Sequence, residues 1–167
     1  YVPCGSMKYS PYSSIFTRII GNDNIFKGLS TFEVEMCELR VILKYCNKNS
    51  LILGDEVCSG TELLSGSSIF TETLISLSNK YSSYIFATHF HNIVDSDDFK
   101  SIRNINCKHL TVTYDKKHNT LIYDRILKDG CGDQVYGLEV CKSLDLPSDF
   151  LELAFTIRNK KTNILDL

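Results

Sequence analysis

The sequence predicts an α/β domain, built on a mainly parallel sheet with flanking helices and an antiparallel edge hairpin, followed by a short helical appendage. Three observations predict it. Two apolar runs, Leu51-Ile52-Leu53-Gly54 and Tyr84-Ile85-Phe86-Ala87-Thr88, are separated by a stretch with helical apolar spacing, the pattern of strand, crossover helix, strand. Two β-prone segments on either side of Asp115-Lys116-Lys117-His118 read as a hairpin. Beyond Lys128-Asp129-Gly130-Cys131-Gly132 both patterns stop and short helical spacings replace them.

Taken in order, Ser14-Ile15-Phe16-Thr17-Arg18-Ile19-Ile20 alternates and is β-branched like a strand, and Gly21-Asn22-Asp23-Asn24 breaks it. Ser30-Thr31-Phe32-Glu33 matches the S/T-x-x-E capping box, and Phe32, Met36, Leu39, Leu43 and Cys46 fall at helical spacing, so a helix is expected from Thr31 to Cys46. The run Leu51 to Gly54 reads as a strand buried on both faces. Phe70, Leu74, Leu77 and Tyr81 mark one face of the next helix, and Tyr84 to Thr88 the next strand, joined by a right-handed crossover. Asn104 to Tyr114 and Asn119 to Leu127 are expected to form the hairpin at the sheet's edge. In the tail, Val135, Leu138, Cys141 and Leu144 mark a short helix. Leu146-Pro147 starts another, with Asp149 and Glu152 early and Arg158, Lys160 and Lys161 late, as the helix dipole favours. The expected division is residues 1–128 for the α/β domain and 129–167 for a helix-turn-helix.

At 167 residues, with 43% hydrophobic residues, the chain has enough apolar side chain for a real core. A net charge of −2 with scattered cations argues against a nucleic-acid surface on this segment. The seven cysteines include no C-x-x-C pair and no matching histidine spacing for zinc, so they read as reduced, mostly buried thiols of an intracellular protein. No apolar run approaches the roughly 18 residues of a membrane helix.

The chemistry concentrates at strand ends. Asp55-Glu56 closes the first apolar run, and two adjacent carboxylates there are costly unless a cation meets them. In P-loop ATPases that cation is Mg²⁺ with nucleotide: the first carboxylate holds the metal through water and the second orients or deprotonates the attacking water. The plain alternative is a charged pair at a solvated turn, and the following Ser59-Gly60-Thr61 favours the site. His89, just past the second apolar run, stands where a γ-phosphate sensor would face Glu56 across adjacent strand ends. His91 is one step on and turned away, and His109 and His118 belong to the hairpin. Ser30 is either an N-cap or a phosphate ligand at the positive end of its helix, and Gly28 favours the second by letting backbone approach an anion. A phosphate-cradling loop needs G-x-x-x-x-G-K-[ST], and no Gly-Lys dipeptide occurs. With Tyr1 in place of Met, the expectation is a fragment whose P-loop lies upstream.

These pieces in this order, Gly28-Leu29-Ser30-Thr31-Phe32-Glu33-Val34-Glu35-Met36, then Leu51 to Glu56, Ser59-Gly60-Thr61 and Ala87-Thr88-His89-Phe90, resemble the C-terminal ATPase domain of the MutS family of DNA mismatch-repair proteins. The resemblance covers nearly the whole chain, including Tyr1-Val2-Pro3, Ile15-Phe16-Thr17-Arg18 and Tyr136-Gly137-Leu138-Glu139-Val140 before Leu146-Pro147. It implies an ABC-type P-loop ATPase core with ATP and Mg²⁺ as cofactors, sandwiched between two subunits. Asp55 would be the Mg²⁺ carboxylate, Glu56 the catalytic base and His89 the switch histidine. Ser30 would reach the partner's γ-phosphate, with Gly28 and Thr31 beside it, and Ser59, Gly60 and Thr61 would form a loop across the dimer interface. Phe150, Leu151 and Phe155, on the broad apolar face of the last helix, would serve dimerisation. Mismatched double-stranded DNA would be met through other domains, in a homo- or heterodimer. The chain departs from the usual pattern at Val57-Cys58-Ser59 and at His91-Asn92, which suggests a divergent, organellar or viral branch. Two other readings stand beside it: an ABC-type ATPase of chromosome-organising class, which would show flanking heptad runs, and a non-catalytic dimerisation module.

Overall fold

The computed structural model describes residues 2–19, 31–115, 117–118, 120–132 and 137–165, the last five by backbone alone. The chain packs as two compact units, residues 1–105 and 106–167.

In the first unit the chain runs β1 (Ser14–Arg18), α1 (Thr31–Tyr45), β2 (Ser50–Asp55), α2 (Leu63–Asn79) and β3 (Ser83–Ala87), then a 3₁₀ turn (His91–Asp95) and the one-turn α3 (Asp97–Lys100). The three strands form one parallel sheet in the order β1-β2-β3, with Ser14 opposite Ser50, Leu51 opposite Ser83 and Asp55 opposite Ala87. Strand, helix and neighbouring parallel strand occur twice in succession, and right-handed crossovers that step in one direction lay both helices on one face. On that face Ile42 of α1, Cys46 just after it, Leu77 of α2 and Ile52 of β2 form the core, with Phe16, Leu43, Tyr84 and Phe86 packed around them. Phe70 stands edge-on to Phe86 at 5.5 Å between ring centres, and its other neighbour is Phe90 at 5.8 Å.

The opposite face overturns one expectation. β2 is covered on one side only: Ile52 is buried, whereas Leu51 and Leu53 are half-buried, and the flanking Ile15 and Ile85 are 62% and 67% exposed. The apolar run is therefore continuous without two layers of helix over it.

Helix ends account for two further differences. α1 ends at Tyr45, and Cys46 is buried just beyond it. α2 ends at Asn79, so Tyr81 is not part of its apolar face: it stands at φ +56 and is 82% exposed. Its N–H donates to the Ser78 carbonyl and that of Ser82 to the Leu77 carbonyl, at 2.9 and 3.1 Å. This is the Schellman closure, with tyrosine where glycine is usual. At its start α2 is capped by Glu62, which accepts from Leu64 N–H and Ser65 N–H at 2.7 and 2.9 Å. β1 likewise stops at Arg18, short of Ile19; Ile20 lies outside the described residues.

In the second unit β4 (Lys108–Asp115) and β5 (Thr120–Asp129) pair antiparallel, with a bulge opposite Thr111 where Arg125 takes φ +55. They form a two-stranded sheet of their own rather than the edge of the first sheet, which corrects the expected placement of the hairpin. α4 (Gly137–Ser143) and α5 (Ser148–Leu165) follow, tied by an Arg158–Glu139 ion pair at 3.4 Å. α4 closes as α2 does: Asp145 stands at φ +57, and the Leu146 N–H donates to the Cys141 carbonyl at 3.3 Å. Val135 lies outside the described residues.

Candidate active site

β2 delivers Asp55 to the C-terminal edge of the sheet, level with Ala87 at the end of β3. The Glu56 N–H donates to the Ala87 carbonyl at 2.9 Å, which carries the ladder one residue past the strand. Glu56 then turns left-handed at φ +50, Val57 is buried at 1% exposure, and Cys58 turns left-handed again at φ +68. The Ser59 N–H closes the turn on the Glu56 carbonyl at 3.2 Å.

On the neighbouring strand the Thr88 hydroxyl accepts from the Phe90 N–H at 3.1 Å, and Phe90 is buried against Phe70. His89 is thus fixed by its neighbours and points outward, its Nδ1 3.3 Å from Glu56 Oε1. The two side chains remain 58% and 37% exposed, open to a ligand and to water. The two groups lie within ion-pair distance without being aligned as a hydrogen bond. Beside them, among the described residues, no cationic side chain comes within ion-pair distance of the half-buried Asp55.

Two glycines make room for this turn. A side chain at Gly54 would run into the Phe86 ring and Val57, and one at Gly66 would sit 2.7 Å from the Cys58 carbonyl. A third contact brings Gly60, between Ser59 and Thr61, to the start of α1: a Cβ at Gly60 would lie 3.4 Å from the Cβ of Phe32. The loop after the carboxylates and the N-terminus of α1, where Thr31 stands, therefore meet within one chain. Gly28 and Ser30 lie outside the described residues.

Beneath the turn is a buried polar cluster with no counterpart among the residues singled out from sequence. Glu35 of α1, 3% exposed, accepts the Cys58 N–H on Oε1 at 2.8 Å. Arg18, the last residue of β1 and 7% exposed, places Nε 3.7 Å from Glu35 Oε1 and 3.1 Å from Glu38 Oε2, close enough for charge attraction but not aligned as a hydrogen bond. Its Nη1 donates to the Ile19 carbonyl at 2.6 Å. Burial, and secondly the Glu35 charge, push the Cys58 thiol up to about 12, with Arg18 opposing. One signal for the cluster exists in the sequence: Glu35 interrupts the series 32, 35, 39, 42, 46 that otherwise carries only apolar residues.

The residues expected to serve dimerisation differ in exposure. Phe150 is 55% exposed, but Leu151 is buried, and half-buried Phe155 has Arg158 over its ring at 4.8 Å. Among the described residues no cluster of His, Cys, Asp and Glu fits a metal ion held by three or more side chains, and no helix is long and apolar enough to cross a membrane.

A family model, MutS domain V, matches residues 1–162. The mutS homolog L359 of Acanthamoeba polyphaga mimivirus is 44% identical over 170 residues, covering 100% of this chain and 15% of the relative. The mitochondrial DNA mismatch repair protein mutS homolog of Sarcophyton glaucum is 43% identical over 140 residues, covering 84% of this chain and 14% of the relative. The DNA mismatch repair protein MutS of Staphylococcus epidermidis is 34% identical over 161 residues, covering 95% and 18%. The chain thus spans between 14% and 18% of the length of these relatives.

Proposed function

The chain belongs to the MutS family, whose domain V it matches over residues 1–162, and on that premise we propose that it is the ATP-hydrolysing segment of a MutS-like DNA mismatch-repair protein. The observation that carries the reading is the 3.3 Å approach of His89 Nδ1 to Glu56 Oε1, at the carboxyl ends of adjacent parallel strands. Ligands of open α/β sheets bind at that edge.

In this reading Glu56 accepts a proton from the attacking water, and His89 orients the Glu56 carboxylate while facing the terminal phosphate. Mg²⁺ fits the donor set: Asp55 is a half-buried carboxylate with no cationic side chain at ion-pair distance among the described residues, as a hard divalent ion with a water shell requires. When bound, the ion would neutralise charge developing on the transferred phosphoryl group. Gly28, Ser30 and Thr31 would meet phosphate at the start of α1. Ser59, Gly60 and Thr61, with Gly60 against Phe32 at that same helix start, would present a joint surface to a second subunit. The phosphate cradle, the contacts to mismatched double-stranded DNA and the homo- or heterodimeric partner belong to the longer protein, working inside the cell, as the viral and mitochondrial relatives suggest.

The test is hydrolysis in the full-length protein. Glu56→Gln is expected to bind Mg-ATP normally and hydrolyse it at least about 100-fold more slowly, because general-base assistance is typically worth that much. Asp55→Asn is expected to weaken the Mg²⁺-dependent part of nucleotide binding. Wild-type hydrolysis by both variants would reduce the pair to structure and overturn the assignment of the hydrolytic site.

A further inference from the structure

The turn that carries Glu56 has two non-glycine residues in the left-handed region within three positions, Glu56 at φ +50 and Cys58 at φ +68. Such a backbone persists only where its surroundings over-determine it. Part of the determination comes from the sheet, through the Ala87 carbonyl, and part from within, through Ser59 N–H. The remaining anchor is a side chain from another element: the Glu35 carboxylate takes the Cys58 N–H at 2.8 Å, buried at 3% exposure.

A buried carboxylate is an expensive way to fill space, since an apolar side chain of similar volume stabilises as well or better. Glu35 occupies a position in the apolar series of α1 where leucine or methionine would pack. What an apolar residue cannot supply is an acceptor for the Cys58 amide, or a counter-charge for Arg18, itself 7% exposed at the end of β1. The cluster therefore joins β1, α1 and the turn below Glu56.

We propose that Glu35, buttressed by Arg18, is a positioning residue that sets the direction of the Glu56 carboxylate by holding the Cys58 amide. This rests on the reading of Glu56 as the hydrolytic base. Glu35 touches no reacting group; it acts through two backbone positions. Truncating it frees the Cys58 amide, lets the turn relax and moves Glu56 away from His89, and displacement of a catalytic group by about 1 Å costs as much as 100-fold in rate.

The experiment uses the full-length protein and measures ATP hydrolysis in steady state and single turnover, with nucleotide binding measured separately. Glu35→Ala is expected to lower kcat by about tenfold or more while KM for ATP stays within about twofold, the mark of an interaction used in the transition state alone. Glu35→Gln retains a carbonyl oxygen for the Cys58 amide and is expected to restore most of the rate. The deciding measurement is the double variant: in a Glu56→Gln background, adding Glu35→Ala or Glu35→Met changes the residual rate by less than about twofold if Glu35 acts through Glu56. Additive losses, or a Glu35→Ala enzyme with wild-type kcat, would overturn the proposal. So would Glu35→Gln and Glu35→Met that lose activity only in proportion to unfolded protein. Wild-type hydrolysis by Glu56→Gln alone would instead remove the base assignment on which the proposal stands, a result read independently of Glu35.

Discussion

Cys58 illustrates how one side chain is fixed by everything around it. Fully buried, it holds φ +68 and is flanked by a carboxylate that raises its thiol further. Against the expectation of mostly buried thiols, Cys46 and Cys58 alone of the seven are buried, so an alkylating reagent at pH 8 should label the exposed Cys4, Cys37 and Cys131 in the native protein and reach Cys58 and Cys46 only after unfolding. The raised thiol also links folding to pH. Its ordinary value of 9.0 applies to the unfolded chain and about 12 to the folded one, so this contribution is complete below pH 9 and is lost as pH climbs toward 12. Urea midpoints at pH 8 and pH 10.5 should fall further for wild type than for Cys58→Ala, which has no thiol to ionise. Cysteine at this place was noticed in the sequence as a departure from a family pattern; its left-handed backbone was not legible, because no glycine marks it.

At the scale of elements, periodicity located both long helices and all the strands of the first unit, because each buries one face in a regular register. It mistook the direction of the α1 face. Met36 and Leu43 are half-buried, and the fully buried series runs Glu35, Leu39, Ile42, Cys46. A count of apolar residues steps over a buried acid, and that acid is the one that reaches the Glu56 turn. Strand-end position and motif order were enough to bring Asp55, Glu56 and His89 to one edge. Arg18 and Glu35 come from far-separated elements and pair only once the helix lies on the sheet. Helix ends escaped for a related reason: the Schellman closures at Tyr81 and Asp145 carry no glycine signal. Tyr81 is 82% exposed, so its side chain contributes little burial while its backbone bears left-handed strain. Tyr81→Gly should raise stability by about 0.5–1 kcal/mol, read as an increase of the thermal midpoint by roughly 2–4 °C.

For the molecule as a whole, the hairpin is the instructive error. Its strands and turn are legible, but short-range sequence signals cannot say which sheet a hairpin joins, and among the described residues β4 and β5 pair only with each other. The last helix shows the same limit. Of the apolar residues on α5, Leu151 is already buried, whereas Phe150, Leu153 and Ile157 are 55%, 62% and 47% exposed. If that face meets a second subunit, full burial of Phe150 contributes up to about 1.5–3 kcal/mol to association, and the already half-buried Phe155 contributes less. Phe150→Asp with Phe155→Asp in the full-length protein should shift sedimentation toward monomer and lower ATP hydrolysis, with circular dichroism unchanged. An unchanged dimer would confine this face to its own subunit.

The backbone bonding of the Glu56 turn has a genetic consequence. The Ala87 carbonyl, the Glu35 carboxylate and Ser59 N–H hold main-chain atoms, none of them the Glu56 side chain. A missense allele that alters Glu56 should thus yield a protein of normal abundance that still assembles, and in the proposed two-subunit arrangement it would poison its wild-type partner. Alleles that place a side chain at Gly54, against the Phe86 ring, should instead remove the protein altogether. Inheritance would then separate the two classes: dominant for position 56, recessive for position 54.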